Sequence, residues 1–191
     1  MSALFTVGYF LLSILFGITT FVLWLRFGLQ YFRISILHPM TQSIHRLTDP
    51  VLRPIANLLQ IRQTRHQRYD WVCFGVLIIV EWIKFLLIGA LYFGHSSLWT
   101  LTAIYTLADL IVQPCNLLFY ALVIRVLMSW VNPNWHHPLA VILKSITEPM
   151  LQKIHRYVPY VAGFDFSPFI AMIALKTITL FVSTSLPFHI L

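Results

Sequence analysis

Four ionisable side chains lie inside the long apolar stretches of this 191-residue chain. They are Glu81, Lys84, Asp109 and Lys176. An unpaired charge at the centre of a bilayer costs about 2.5 to 3.5 kcal/mol on insertion scales, so such groups pair with each other or serve a function. Three roles stay open for them: a salt bridge that fixes helix packing, a path for protons or ions, and the binding of a partner.

The spacing of these residues predicts which charges meet. Glu81 and Lys176 each follow an aspartate, Asp70 or Asp165, by 11 residues, which places both about 15 Å into a bilayer if the segments are helical. We therefore expect Glu81 and Lys176 to pair. Lys84, three residues after Glu81, is a nearer partner on the same helix, so a shared cluster is the alternative.

Asp109 precedes Arg125 by 16 residues, which is about 24 Å along a helix. We expect Asp109 near the outer surface, either solvated or paired with Lys84.

No enzymatic or cofactor chemistry is indicated. The chain has no serine elbow, HExxH motif or glycine-rich phosphate loop. Its eight histidines show no HxxxH spacing within an apolar stretch, and Cys73 and Cys115 have no CxxC spacing. We expect no catalytic residue, metal site or cofactor; a haem or metal site assembled from distant segments is the less favoured alternative.

The elements that position the four charges are predicted to be membrane-spanning helices. The chain is 59% hydrophobic and 10% charged, whereas soluble domains are about 25% charged. This composition excludes an ordinary water-soluble globule. Four apolar stretches can each cross a hydrocarbon core of about 30 Å: about 4–25, about 71–93, within 98–131 and about 166–186. The predicted fold class is all-α integral membrane.

The basic residues predict the orientation. All 13 Lys and Arg residues except Lys84 and Lys176 lie between the first and second spans or between the third and fourth. By the positive-inside rule both connections are cytoplasmic and both termini lie outside. Arg62, Arg65 and Arg68 recur every third residue, and we expect them to rest on anionic lipid headgroups; nucleic-acid binding is the less favoured alternative.

The chain repeats itself. A shift of 99 residues gives seven identities over 30 positions. The matched residues include Arg26 with Arg125, His38-Pro39 with His137-Pro138, and Thr48-Asp49-Pro50 with Thr147-Glu148-Pro149. We predict two repeats, 1–93 and 98–188, each consisting of a span, a cytoplasmic amphipathic segment (26–70 or 132–165) and a span. Two spans per repeat make the repeats parallel.

Both cytoplasmic segments carry apolar residues at helical spacing, such as Ile44, Leu47 and Val51 in the first. The opposite faces are basic, so we expect helices in the plane of the membrane. The Thr-acid-Pro triplets at 48–50 and 147–149 predict a helix break and restart, with the proline at a first helical position. A docking motif for a partner is the alternative.

One segment of the second repeat is the most specific: Gly163-Phe164-Asp165-Phe166-Ser167-Pro168. With it and the Thr-acid-Pro triplets, the chain resembles the YggT family, also called YlmG. The first repeat departs from the family pattern at 62–70, where only Asp70 matches. The resemblance implies a small protein of the bacterial inner membrane. It also implies osmotic or envelope stress tolerance, while chloroplast relatives are linked to cytochrome b6 maturation and nucleoid distribution.

These observations favour a non-enzymatic scaffold or accessory factor in stress tolerance or membrane-complex assembly. The alternative is a small ion or solute channel or transporter that uses the four intramembrane charges. Expected partners are anionic lipid headgroups, other membrane proteins and a second copy of the chain; nucleic acid is not favoured.

Overall fold

The computed structural model describes residues 3–35, 38–58, 70–93, 98–131, 137–156 and 165–186. These residues form helices and no strand. The helices are α1 (Ala3–Tyr31), α2 (Pro39–Leu58), α3 (Trp71–Phe93), α4 (Leu98–Val131), α5 (Pro138–His155) and α6 (Ser167–Thr184). The predicted all-α fold class is confirmed.

Four helices are long and apolar enough to cross a membrane. The candidate spans are Thr6–Tyr31, Trp71–Ala90, Trp99–Val131 and Ser167–Thr184. Large apolar side chains remain exposed on their outer faces, among them Leu15 (63%), Ile173 (67%) and Phe181 (72%). Such faces suit lipid rather than water, so the chain is a multi-pass membrane protein, as its composition predicts.

Helix α4 lies at the centre of the packing. It contacts α3 and α6 most extensively and also touches α1 and α5. Helix α1 packs against α3, while α2 packs on α1 and α3, and α5 packs on α4 and α6. The two shorter helices therefore rest against the spans and also touch each other.

The apolar core has comparable parts in both halves of the chain. One cluster joins α1, α2 and α3 around Leu23 and Leu52, and another joins α4, α5 and α6 around Leu122 and Leu151. Each of the second pair follows its counterpart by 99 residues. Burying a leucine side chain contributes about 1.5 to 3 kcal/mol, so the aligned leucines fix the shorter helices to the spans.

The predicted helix break at the Thr-acid-Pro triplets is wrong. Helix α2 runs through Pro50 and Pro54, and α5 runs through Pro149. Each proline removes one backbone hydrogen bond without ending the helix. Thr48 and Thr147 donate their hydroxyls to the carbonyls four residues earlier, those of Ile44 and Leu143, at 2.8 and 2.7 Å, as threonines inside a helix do. The threonines therefore lie inside continuous helices instead of capping new ones.

Candidate functional site

Arg26 joins three elements near one end of α1. Arg26 is 3% exposed, and its Nη1 donates to the hydroxyl of Thr48. The same nitrogen lies 2.7 Å from Asp49 Oδ1, and Nε donates to Asp70 Oδ2 at 3.3 Å. Asp70 Oδ1 in turn accepts the backbone N–H of Cys73 in the first turn of α3, at 3.0 Å. We call Arg26, Thr48, Asp49 and Asp70 the first arginine cluster.

Arg125 makes the corresponding contacts in the second half. Its Nη1 donates to Thr147 Oγ1 at 2.7 Å, and its Nη2 lies 2.8 Å from Glu148 Oε2. We call Arg125, Thr147 and Glu148 the second arginine cluster. Its side chains are less buried: Arg125 is 26% exposed where Arg26 is 4% exposed. In both halves an arginine of a span holds a helix that does not span.

Asp165 is bound differently from Asp70. Asp165 Oδ1 accepts the backbone N–H of Ser167 at 2.9 Å, and Oδ2 lies 3.4 Å from His155 Nε2. His155 Nδ1 is 2.9 Å from the Ser167 hydroxyl. Ser167 and Pro168 are buried at the start of α6. This arrangement fixes the start of α6, where the Ser167 side chain is fully buried.

The first arginine cluster changes the pKa values of its member Asp49 and of the neighbouring His45. Burial raises the pKa of Asp49, but the hydrogen bond and positive charge of Arg26, together with Arg53 at 2.6 Å, outweigh burial and lower that pKa. Burial lowers the pKa of His45, and Arg26 lowers it further against the opposing effect of Asp49. Asp49 is therefore ionised and His45 is neutral at pH 7.

Three of the four intramembrane charges meet between α3 and α4. Lys84 Nζ lies 2.5 Å from Glu81 Oε2 and also contacts Asp109 Oδ2. Their exposed fractions are 0% for Glu81, 8% for Lys84 and 3% for Asp109. We call these residues the ion cluster. The contact between Glu81 and Lys84, which the sequence analysis gave as the alternative, forms in the structure. Of the two expectations for Asp109, the structure shows the pair with Lys84 and not a solvated carboxylate.

Lys176 does not join the ion cluster, so the predicted pairing of Glu81 with Lys176 is wrong. Lys176 Nζ donates to Asn116 Oδ1 at 3.1 Å and lies 4.6 Å from the centre of the Phe119 ring. The reason is packing: α6 lies mainly against α4 and α5, so the Lys176 side chain reaches α4 before it can reach α3.

Uncharged polar residues extend the ion cluster along α4, a feature that the sequence analysis missed. They are Thr102, Thr106, Gln113 and Asn116. With Asp109 they recur every three or four residues and share one face of the helix. Gln113 Nε2 donates to Asp109 Oδ2 at 3.1 Å, and the Thr20 hydroxyl of α1 lies 3.4 Å from Gln113 Oε1. The helical spacing of all polar residues in this segment, and not of the charged ones alone, would have predicted this polar face from the sequence.

Two predicted features concern ligands. Arg62, Arg65 and Arg68 lie outside the described residues. Among the residues that the structure describes, no group of three His, Cys, Asp or Glu side chains is placed to hold a metal ion. The free thiol of Cys73 is buried, and that of Cys115 is partly exposed.

Comparison with known proteins gives a family match along most of the chain. The CCB3/YggT family model matches residues 5–91 and 103–186. PA0392 of Pseudomonas aeruginosa is 28% identical over 97% of this chain and 93% of its own length. A protein encoded in the proC 3' region of Vibrio alginolyticus is 31% identical over 87% and 88%, and YggT of Escherichia coli K12 is 27% identical over 91% and 88%. No solved structure matches.

Proposed function

The chain belongs to the CCB3/YggT family, and from this premise we propose that it is a non-enzymatic scaffold or accessory factor of the bacterial inner membrane, acting in osmotic or envelope stress tolerance or in membrane-complex assembly. The observation that carries the proposal is the pair of arginine clusters. Each cluster ties a short amphipathic helix to a span by charge-assisted hydrogen bonds, which are roughly twice as strong as neutral ones. The result is a platform of two helices, α2 and α5, that are held against the spans.

The orientation follows from charge. We place α2, α5 and the basic residues of their segments at the cytoplasmic surface and both termini outside, because the basic residues of the connections then face the cytoplasm. The matched contacts of Arg26 and Arg125, and the two ranges matched by the family model, support two parallel repeats, 1–93 and 98–188.

Helix α2 has an exposed apolar edge that fits this placement. Leu47, Val51 and Leu58 are 70%, 56% and 83% exposed, and they lie on the side of α2 away from the exposed guanidinium of Arg53. The other half of the apolar stripe, including Ile44 and Leu52, is buried against the spans. A helix with lipid on one edge and basic groups on the other lies in the membrane interface and attracts anionic headgroups.

The test replaces both clamping arginines in the full chain. Arg26→Gln/Arg125→Gln should loosen α2 strongly and α5 more weakly, because the Arg125 pair is partly exposed. Cells that depend on the chain should then lose survival after osmotic upshift, and its complexes in native electrophoresis of mildly solubilised membranes should shrink. The matched control, Arg46→Gln/Lys144→Gln, removes two exposed basic residues from α2 and α5 and should behave as the natural chain. Equal survival and complex size in all three chains, at equal membrane abundance, contradict the proposal.

A second candidate function, a small ion or solute conductor, is favoured by the polar face of α4. Two carboxylates of the ion cluster face one ammonium, so the cluster can accept one more positive charge, a proton or a monovalent cation. Flux into liposomes holding the purified chain, under an imposed membrane potential, tests this function. A conductor should lose its flux in Asp109→Asn, whereas flux no greater than in empty liposomes excludes it.

A further inference from the structure

Lys176 is a cation inside a membrane span with neutral neighbours. It lies nine residues after the start of α6, about 13 Å into the bilayer. Its ammonium donates a hydrogen bond to the amide oxygen of Asn116 at 3.1 Å and lies 4.6 and 5.8 Å from the ring centres of Phe119 and Tyr120. None of these groups carries a negative charge, so they compensate the lysine only in part.

The acidic side chains of the chain contact groups other than Lys176. All six fall within described residues. Asp49 and Asp70 face Arg26, Glu81 and Asp109 share Lys84, Glu148 faces Arg125, and Asp165 contacts the His155 ring and the backbone N–H of Ser167. Between residues 165 and 186 and across the other described ranges, no carboxylate forms an ion pair with Lys176. A full counter-charge for this lysine must therefore come from outside the chain.

The surroundings of Lys176 leave room for a neighbouring helix. The lysine is partly exposed and lies at the edge of the lipid-facing side of α6, beside Ile173 and Leu180, which are 67% and 61% exposed. Tyr120 of α4, 58% exposed, lies across from it. We call Tyr120, Ile173, Lys176 and Leu180 the α4–α6 seam.

We propose that the α4–α6 seam is an intramembrane docking site for a transmembrane helix of another protein that carries a carboxylate near the middle of the bilayer. The inference rests on the proposed scaffold function and names the class of partner for it. A carboxylate opposite Lys176 replaces an uncompensated charge with a hydrogen-bonded ion pair, which is the common arrangement for ionisable residues inside membranes. A second copy does not supply this group, because Glu81 and Asp109 are buried inside the helix packing and the other four acidic side chains lie outside the candidate spans.

The experiment uses synthetic helices of defined chemistry. The full chain carries a donor dye and is reconstituted in liposomes with leucine-rich transmembrane peptides that carry an acceptor dye and one central Glu or Gln. The natural chain should bind the Glu peptide about tenfold more tightly than the Gln peptide, equivalent to about 1.4 kcal/mol. Lys176→Met should lose this preference, whereas Thr177→Val, a change at the adjacent exposed residue, should retain it.

Exchanging the two charges of the pair distinguishes a loss of binding from a loss of folding. Lys176→Glu should prefer a peptide with a central Lys, which a misfolded variant would not do. Equal binding of the Glu and Gln peptides by the natural chain, or an unchanged preference in Lys176→Met, overturns the inference. Energy transfer between copies of the chain that disappears in Lys176→Met also overturns it and assigns the seam to self-association. None of these variants alters α2 or α5, so failure here is distinguishable from failure of the scaffold function.

Discussion

The ion cluster gives the sharpest prediction about stability, which is that Lys84→Met destabilises the fold far more than the same change at Lys176. Lys84 is 8% exposed and contacts both Glu81 and Asp109, which are 0% and 3% exposed. Methionine has a similar length and no charge. The substitution therefore removes the cation and leaves both carboxylates buried without one.

The magnitude follows from the burial of the pair. Breaking a buried ion pair by removing one partner costs about 3 to 5 kcal/mol, which is roughly a factor of 10² to 10⁴ in the folding equilibrium. Gln113 still donates to Asp109 at 3.1 Å, whereas Glu81 Oε1 has no hydrogen-bond partner among the described residues. We therefore expect the cost to fall mainly on Glu81. Lys176 faces no carboxylate, so Lys176→Met should leave stability unchanged or raise it.

The assay is reversible unfolding of the purified chain in bicelles, driven by SDS and followed by the fluorescence of its six tryptophans. The natural chain, Lys84→Met, Lys176→Met and the triple variant Glu81→Gln/Lys84→Met/Asp109→Asn are compared. Removing every charge of the ion cluster leaves no buried ion between α3 and α4, so the triple variant should recover most of the stability that Lys84→Met loses. Equal losses at Lys84 and Lys176, or a triple variant less stable than Lys84→Met, would refute this reasoning.

Three further predictions concern the short helices. Arg26→Gln should lower the unfolding free energy by about 3 to 5 kcal/mol because its pair with Asp70 is buried. Arg125→Gln should lower it by about 1 kcal/mol because Arg125 and Glu148 are 26% and 34% exposed. Unfolding in bicelles measures both losses. The pKa of Asp49 in the folded chain lies below its ordinary 3.8. The stability that the ionised carboxylate adds is therefore complete above pH 3.8 and is lost as the pH falls through the folded pKa. In a plot of unfolding free energy against pH, Asp49→Asn should reduce the loss of stability at acid pH. Leu52→Ala, at a fully buried position, should cost about 2 to 5 kcal/mol in the same unfolding assay.

The spans could be predicted from the sequence because their signal is local. A run of about 20 apolar residues needs no knowledge of its neighbours to be assigned to a bilayer. The repeat singled out Arg26, Thr48 and Asp49 in the same way, since an offset of 99 is visible in the letters alone. The contact between these residues could not be predicted, because it depends on how α2 packs on α1. The prolines of α2 predicted a helix break, but α2 is continuous.

The partner of Lys176 could not be predicted because internal symmetry does not determine which helices touch. Glu81 and Lys176 occupy equivalent places in the two halves, yet α4 packs against both α3 and α6 and presents Asp109 to one and Asn116 to the other. Lys84 therefore contacts Asp109, and Lys176 contacts Asn116, because these are the nearest polar groups of α4. A count of charges also overlooks neutral polar groups, which is why the Thr, Gln and Asn face of α4 escaped detection.

Sidedness of α2 and α5 tests the central claim most directly. Single cysteines at Arg53 and Gln152, both exposed, are introduced into a chain whose Cys73 and Cys115 are replaced by alanine, and sealed cells are treated with a membrane-impermeant maleimide. We predict no labelling at either position until the cells are permeabilised, after which both should react. Labelling of either cysteine in sealed cells would place its helix outside and contradict a cytoplasmic platform held by Arg26 and Arg125.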